Sequence, residues 1–286
     1  MDKESWELSK QDAIYNQIKK IARDIVATFP KPDFYIEKVC ACEISKFYYQ
    51  TDPIVDQLKK FVSNTIDNDI GHGMDHVEKV ALDAGAVILV ESGLIKSGFT
   101  EDFFIEGKLT EKNFTKKNNN ITFSGKNLYQ ILIMVQCASL LHDIKRKQKE
   151  HAKKGAEYAK SILKSYAFSS DEIEDISLAI YNHEAFTENI KIKTCSGNLI
   201  ANSLYDADKF RWGPDNFLDT VWDMVSYSKI PLSEFMKHYP DGIKMLERIK
   251  NTFRTKTGKK YGPQFINTGI AIGKKLGDVI KTEFNY

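Results

Sequence analysis

Apolar residues recur every three or four positions over most of this chain, the spacing of helices that bury one face. Ile14, Ile18, Ile21, Ile25 and Phe29 keep that rhythm and predict a helix over 5–29, which Pro30 and Pro32 end. A second helical stretch follows at 34–49, and a third begins near Pro53 with Leu58, Phe61, Val62 and Ile66 as its apolar face. Gly71 and Gly73 then punctuate the chain. Over 74–92, Val77, Val80, Ala81, Ala84, Val87, Ile88 and Val90 form so broad an apolar face that this helix is expected to be central.

The rhythm breaks at 96–126, where Gly98, Gly107, Gly125 and the run Asn118 to Asn120 interrupt β-prone stretches at 103–105 and 121–123. This reads as an inserted loop or short β-hairpin. Its phenylalanines are expected to border any pocket beside it. Helices resume with the strongly apolar 128–141, then 150–165, 170–183 and 197–211. Ser169 and Glu172 have capping-box spacing. The remainder, 215–285, reads as three more helices, with Gly258, Gly262 and Pro263 separating the last two. The expected architecture is all-α: N-terminal helices over 1–69, a core over 70–212 holding the insertion, and C-terminal helices over 213–286, packed as one unit.

Composition narrows the function classes. The 41 basic and 39 acidic residues give a net charge of +2, which offers no argument for a nucleic-acid surface. The most apolar run is too short to span a bilayer, and the mixed-charge start MDKESWELSK lacks the form of a signal peptide, so a cytoplasmic protein is expected. Cys40, Cys42, Cys137 and Cys195 contain no CxxC pair and suggest neither a zinc knuckle nor a disulfide framework.

The chemistry concentrates on the histidines. His72 and His76 lie in IGHGMDHVEKV, His142 and Asp143 end the apolar run ASLLHD, and His151 opens a helix. His183 ends another helix, and SLYDADKF supplies Asp206 and Asp208. Any one of these is weak: an HD dipeptide alone means little, and a histidine at a helix end is often a cap. Imidazoles and carboxylates on several apolar helices are another matter. Burying them is costly unless they are paired or bind metal, and a helical bundle brings such positions together. His238 has no such company and reads as a surface residue.

The order His76, His142–Asp143, Asp208 resembles the HD-domain superfamily of metal-dependent phosphohydrolases, in particular an uncharacterised bacterial-type subgroup. HGMDHVEKV, SLLHDIKRK, HAKKGAEYAKSIL, AIYNHEAF and LYDADKF extend the resemblance over 70–212, and NTFRTKTGKKYGPQF carries a weaker likeness further. The resemblance implies an HD-domain helical bundle in which His76, His142, Asp143 and Asp208 hold a divalent ion (Fe, Mn, Ni, Co, Zn or Mg). His151 and His183 would bind a second ion or the substrate phosphate, or protonate the leaving group. His72 and Asp206 would orient or cap, and Asp143 would bridge two ions if a second is bound. Lys145 would offset phosphate charge; Arg146 and Lys147 read as a solvated basic turn, and Lys209 stays open between these roles. The implied reaction is hydrolysis of a small phosphomonoester or phosphodiester, a nucleotide among the candidates. Two other uses stay open: a di-iron oxygenase, and a ligand-sensing module without turnover. A homodimer through the C-terminal helices is also left open.

Overall fold

A computed structural model describes residues 3–68, 70–93, 104–105, 108–109, 116–118, 121–123 and 125–284, with side chains placed from residue 11 onward except in 94–126. The described residues form twelve α-helices, one π-helical turn and four very short strands. The all-α expectation holds.

The N-terminal segment gives α1 (Lys3–Ala27), and the predicted second helix divides into α2 (Asp33–Glu37) and α3 (Val39–Thr51). Pro53 opens α4 (Pro53–Ser63), where the Asp52 carboxylate accepts from the Ile54 and Val55 amides and caps the first turn. Next come α5 (Met74–Glu91), α6 (Gly125–Leu141), α7 (His151–Leu163), α8 (Ser170–Tyr181) and α9 (Cys195–Phe210). The capping box forms at α8: the Ser169 hydroxyl accepts from the Glu172 amide, and the Glu172 carboxylate accepts from the Ser169 amide. A π-helical turn (Asn216–Thr220) leads into α10 (Val221–Tyr227), α11 (Leu232–Ile249) and α12 (Lys256–Phe284). In the insertion, β1 (Phe104–Ile105) pairs antiparallel with β2 (Lys108–Leu109), and β3 (Lys116–Asn118) with β4 (Ile121–Phe123). The expected pocket-facing phenylalanines there lie outside the described side chains.

The two most apolar helices, α5 and α6, pack against each other at the centre. Val80, Ala84, Val87 and Ile88 of α5 and Leu132, Val135, Ala138 and Leu141 of α6 are fully buried. Each large side chain of this kind contributes on the order of 2 kcal/mol on leaving water. Around this pair lie α3, α4, α8 and α9, while α7 packs on α8. The terminal helices close the other side, with α1 against the π-helical turn, α10 and α12. Phe34, Phe210 and Phe265 bind α2, α9 and α12 together, the last two rings stacked 4.3 Å apart.

One expectation is corrected. Gly258, Gly262 and Pro263 do not separate two helices: α12 runs unbroken through all three, and the break falls at 250–255. The glycines serve close approach instead. A Cβ on Gly258 would stand 2.0 Å from Asp206 Oδ2, and one on Gly262 would stand 2.3 Å from the Phe253 ring. Packing over most of the 29-residue length of α12 outweighs the amide missing at Pro263.

Candidate metal centre

The central helices all deliver their polar residues to one place. His76 sits in the first turn of α5, and His142 and Asp143 directly follow α6. His151 is the first residue of α7, His183 lies two residues past α8, and Asp208 is in the last turn of α9. All six are buried.

Two of these histidines are set by the same local device. The last carbonyls of a helix have no partner within the helix. The His142 ring folds back so that Nδ1 donates to Ser139 O at 2.7 Å, and the His183 ring does the same to Ile180 O at 2.6 Å. A carbonyl only accepts, so Nδ1 carries a proton and Nε2, the nitrogen whose lone pair a metal would take, faces inward. His72, just ahead of α5, donates from Nδ1 to Ile70 O at 2.9 Å, and His151 directs Nδ1 at Glu184 Oε1, 3.3 Å away. Four imidazoles are thus oriented from behind, as metal-ligating histidines are.

Acceptors converge where these nitrogens point. His76 Nε2 lies 3.4 Å from His142 Nε2, 3.4 Å from Asp208 Oδ1 and 3.7 Å from Asp143 Oδ2. His142 Nε2 lies 3.4 Å from Asp143 Oδ2 and 3.8 Å from Asp208 Oδ1. Ligands about 2.1 Å from a tetrahedral ion stand ~3.4 Å from one another, so the four predicted ligands have the mutual spacing a divalent cation needs. The other carboxylate oxygen faces a second pair: Asp143 Oδ1 is 3.4 Å from His151 Nε2 and 3.6 Å from His183 Nε2. It is buried without a hydrogen-bond donor. An orphaned anionic oxygen among buried imidazoles is the arrangement a cation satisfies.

The electrostatics suit that purpose. Burial pulls His151 down to about 3 and His72 down to about 4, and lowers His76 as well, so these rings are neutral near pH 7. Burial alone would raise Asp143 and Asp208. Lys209 at Asp208, and at both carboxylates the His142 ring, which Asp143 holds above its ordinary pKa, outweigh it and hold both well below the usual carboxylate range. Both are anions ready to bind.

The remaining predicted residues fall in different places. Asp206, two residues before Asp208, turns away: its oxygens accept from the Arg254 and Thr255 amides, each at 2.8 Å, and cap the start of α12. Burial raises this carboxyl to about 6, against those hydrogen bonds. The Lys145 ammonium lies 3.6 Å over the Tyr158 ring, whereas Arg146 Nη1 lies 3.0 Å from His151 Nε2 and 4.0 Å from Asp143 Oδ1. The Lys147 ammonium pairs with Asp67 at 3.3 Å. Lys209 is buried and pairs with Asp208. His238 is exposed, as expected, against Glu234.

Sequence reasoning passed over Arg211, which is buried between Asp83 and Asp215 with the Tyr35 hydroxyl also in contact. Only the four-residue spacing to Asp215 marks it locally; Tyr35 and Asp83 lie far off in sequence, on α2 and α5. It also passed over Arg254, whose guanidinium covers the Tyr205 ring at 3.5 Å and donates to Asn182 O beside His183.

Comparison with family models, curated proteins and solved structures found no match. No helix among the described residues is long and apolar enough to cross a membrane. The buried groups His76–His142–Asp208, His142–Asp143–His183 and His72–His76–Asp143 could each hold a metal ion.

Proposed function

We propose that this chain is a metal-dependent phosphohydrolase of the HD-domain kind, with His76, His142, Asp143 and Asp208 holding one divalent ion and Asp143, His151 and His183 a second. The observation that carries this reading is the buried Asp143 carboxylate, with Oδ2 facing the Nε2 atoms of one pair of imidazoles and Oδ1 those of another. A bridging carboxylate between two nitrogen-rich sites suits Mn, Fe, Co, Ni or Zn better than Mg. Bound there, such ions lower the pKa of a water and polarise a phosphoryl oxygen.

The chain's own residues supply the rest. Arg146, rather than Lys145, stands within reach of the cluster to neutralise a phosphate oxygen. Its guanidinium can offer two donors to one phosphate, where an ammonium offers a point charge. A cavity of about 150 Å³, walled by Asp143, Arg146 and Lys147 among others, gives a phosphoryl group its approach. Lys209 neutralises one Asp208 oxygen and leaves the other, Oδ1, facing His76 and His142.

The test is elemental analysis of the purified protein, then phosphate release from a phosphoester panel with Mn, Fe, Ni, Co, Zn and Mg. Bound transition metal and release that fails with His142→Ala are expected. Metal-free protein of unchanged activity would overturn the reading. The six-donor, two-site arrangement also fits a di-iron oxygenase; a coloured, iron-loaded protein that consumes oxygen and releases no phosphate would decide for that use.

A further inference from the structure

A second and larger cavity has a residue of the cluster, His76, in its wall. Residues 65–73 contribute to both: Thr65, Ile66, Asp67 and Ile70 line the small cavity, and Asn68, Gly71 and Gly73 the large one. Asp143 is in the wall of the first and His76 in the wall of the second, and these two lie 3.7 Å apart. The large cavity holds about 600 Å³, within the usual range for a small-molecule site. Part of its wall is the π-helical turn, whose Thr220 backbone is packed so tightly on Gly71, at φ +70°, that no side chain fits between them. Single π-turns of this kind often mark functional sites.

We propose that this cavity seats the alcohol half of the substrate, and that this alcohol is a polyol, so that the substrate class is a sugar or cyclitol monophosphate rather than a nucleotide. The inference rests on the phosphohydrolase reading and specifies it. Among the described residues lining the cavity there is no Phe, Tyr or Trp, and its one histidine, His76, is engaged with His142 and Asp208 of the cluster, so these residues offer no free aromatic platform of the kind on which bases are commonly held. What lines it instead are charges already paired with each other: Arg23 with Asp219 at 2.9 Å and Lys79 with Asp215 at 3.0 Å. A hydroxyl both donates and accepts, so it can lie across such a pair and leave neither charge uncompensated. Four aspartates, Asp75, Asp215, Asp219 and Asp223, face three basic side chains there. That balance opposes any phosphate beyond the one at the cluster, and so selects monophosphates. In the reaction, a water oxygen bonds to phosphorus as the bond from phosphorus to the sugar oxygen breaks. The sugar oxygen leaves with the electron pair and takes a proton, and inorganic phosphate is the second product.

The experiment compares hexose and inositol monophosphates, nucleoside 5′-monophosphates and triphosphates, and p-nitrophenyl phosphate on the metal-supplemented full chain. Polyol monophosphates are expected to exceed nucleotides at least tenfold in kcat/KM. In Asp219→Leu and Asp75→Asn, both at exposed or half-exposed positions, KM for the polyol phosphate should rise several-fold with kcat changed less than twofold, and the loss should exceed that with p-nitrophenyl phosphate. A tenfold preference for nucleotides, or equal losses on all substrates, would overturn the assignment. If p-nitrophenyl phosphate and all the others resist hydrolysis, the phosphohydrolase reading fails on its own. Calorimetric binding then decides the cavity: tighter binding of hexose monophosphate than of nucleoside monophosphate supports it, and the reverse order or no binding overturns it.

Discussion

Two helices, α5 and α9, each carry one residue of the candidate metal cluster and one acid that does something else. On α5 these are His76 in the first turn and Glu91 in the last; on α9 they are Asp208 and Asp206. Glu91 accepts from the Thr257 amide and hydroxyl, both at 2.7 Å, and Asp206 accepts from the Arg254 and Thr255 amides. Together they occupy the donors at the start of α12, where negative charge is favourable. At this clamp every acceptor meets a donor. At the cluster, inward-facing imidazole nitrogens surround carboxylates, and one oxygen of Asp143 has no donor at all. Both regions are buried and acidic. Only the second has too few protons for its acceptors, and that shortage separates a group of residues that could hold a cation from a structural joint.

The sharpest way to break the comparison is to remove a residue from each side. His142→Ala and Asp143→Ala should reduce bound metal to background by elemental analysis and cut phosphate release at least ~100-fold, since merely losing an orienting partner of a ligand costs 10–100-fold. Their far-ultraviolet circular dichroism should be unchanged. Asp206→Ala should do the opposite. It strands two buried amides and should cost about 2–3 kcal/mol, lowering Tm by roughly 5–10 °C, with metal content per folded molecule retained. If Asp206→Ala strips the metal without lowering Tm, the division between the two acids is wrong.

Acidification tests both regions, with opposite signs: Asp206, raised to about 6, favours the folded state as pH falls to 5, as does His142, and the depressed rings of the cluster oppose it. Burial depresses His72 to about 4 and His151 to about 3. Between those values and an unfolded value of ~6.5, the unfolded chain binds more protons at these rings than the folded one, so their contribution to stability rises with pH across that window. The contribution is complete above ~6.5 and is lost as pH falls through the folded values. His151→Gln should therefore raise the urea midpoint of metal-free protein at pH 5 relative to that at pH 7.5. A pH dependence left unchanged by His151→Gln would show that this ring is not held neutral.

The contrast also explains what was legible in the sequence. The helices, the Ser169–Glu172 capping box and the position of single histidines at the ends of apolar runs are legible through local spacing, because they are properties of neighbouring residues, whereas the grouping of those histidines into one set rests on the resemblance in their order along the chain. The clamp is not legible in this way. Asp206 meets its partners 48 and 49 positions away, and Glu91 meets Thr257 at 166. Gly258 misleads for the same reason: in sequence a glycine inside an apolar rhythm reads as a break, and only the carboxylate packed against it shows that the missing side chain makes room. Arg146 is the intermediate case. Its position is visible beside the HD pair, but which of three consecutive basic residues turns inward depends on the path of the turn after Asp143.

That turn supplies the smallest and most discriminating prediction. Lys145 and Arg146 are adjacent and alike in charge, yet the first lies over Tyr158 and the second beside His151 and Asp143. Lys145→Met removes a contact between a cation and a ring worth about 0.5–1 kcal/mol, and should change kcat/KM less than twofold. Arg146→Met should raise KM for a phosphate ester ~10-fold or more, the usual consequence of losing a charged hydrogen bond to substrate. Arg146→Lys should recover only part of it, because a point charge replaces a two-pronged donor. Equal losses at the two positions would mean that the net positive charge of the turn, and not the placement of one guanidinium, attracts the phosphate. In that case raising the salt concentration should abolish both effects together.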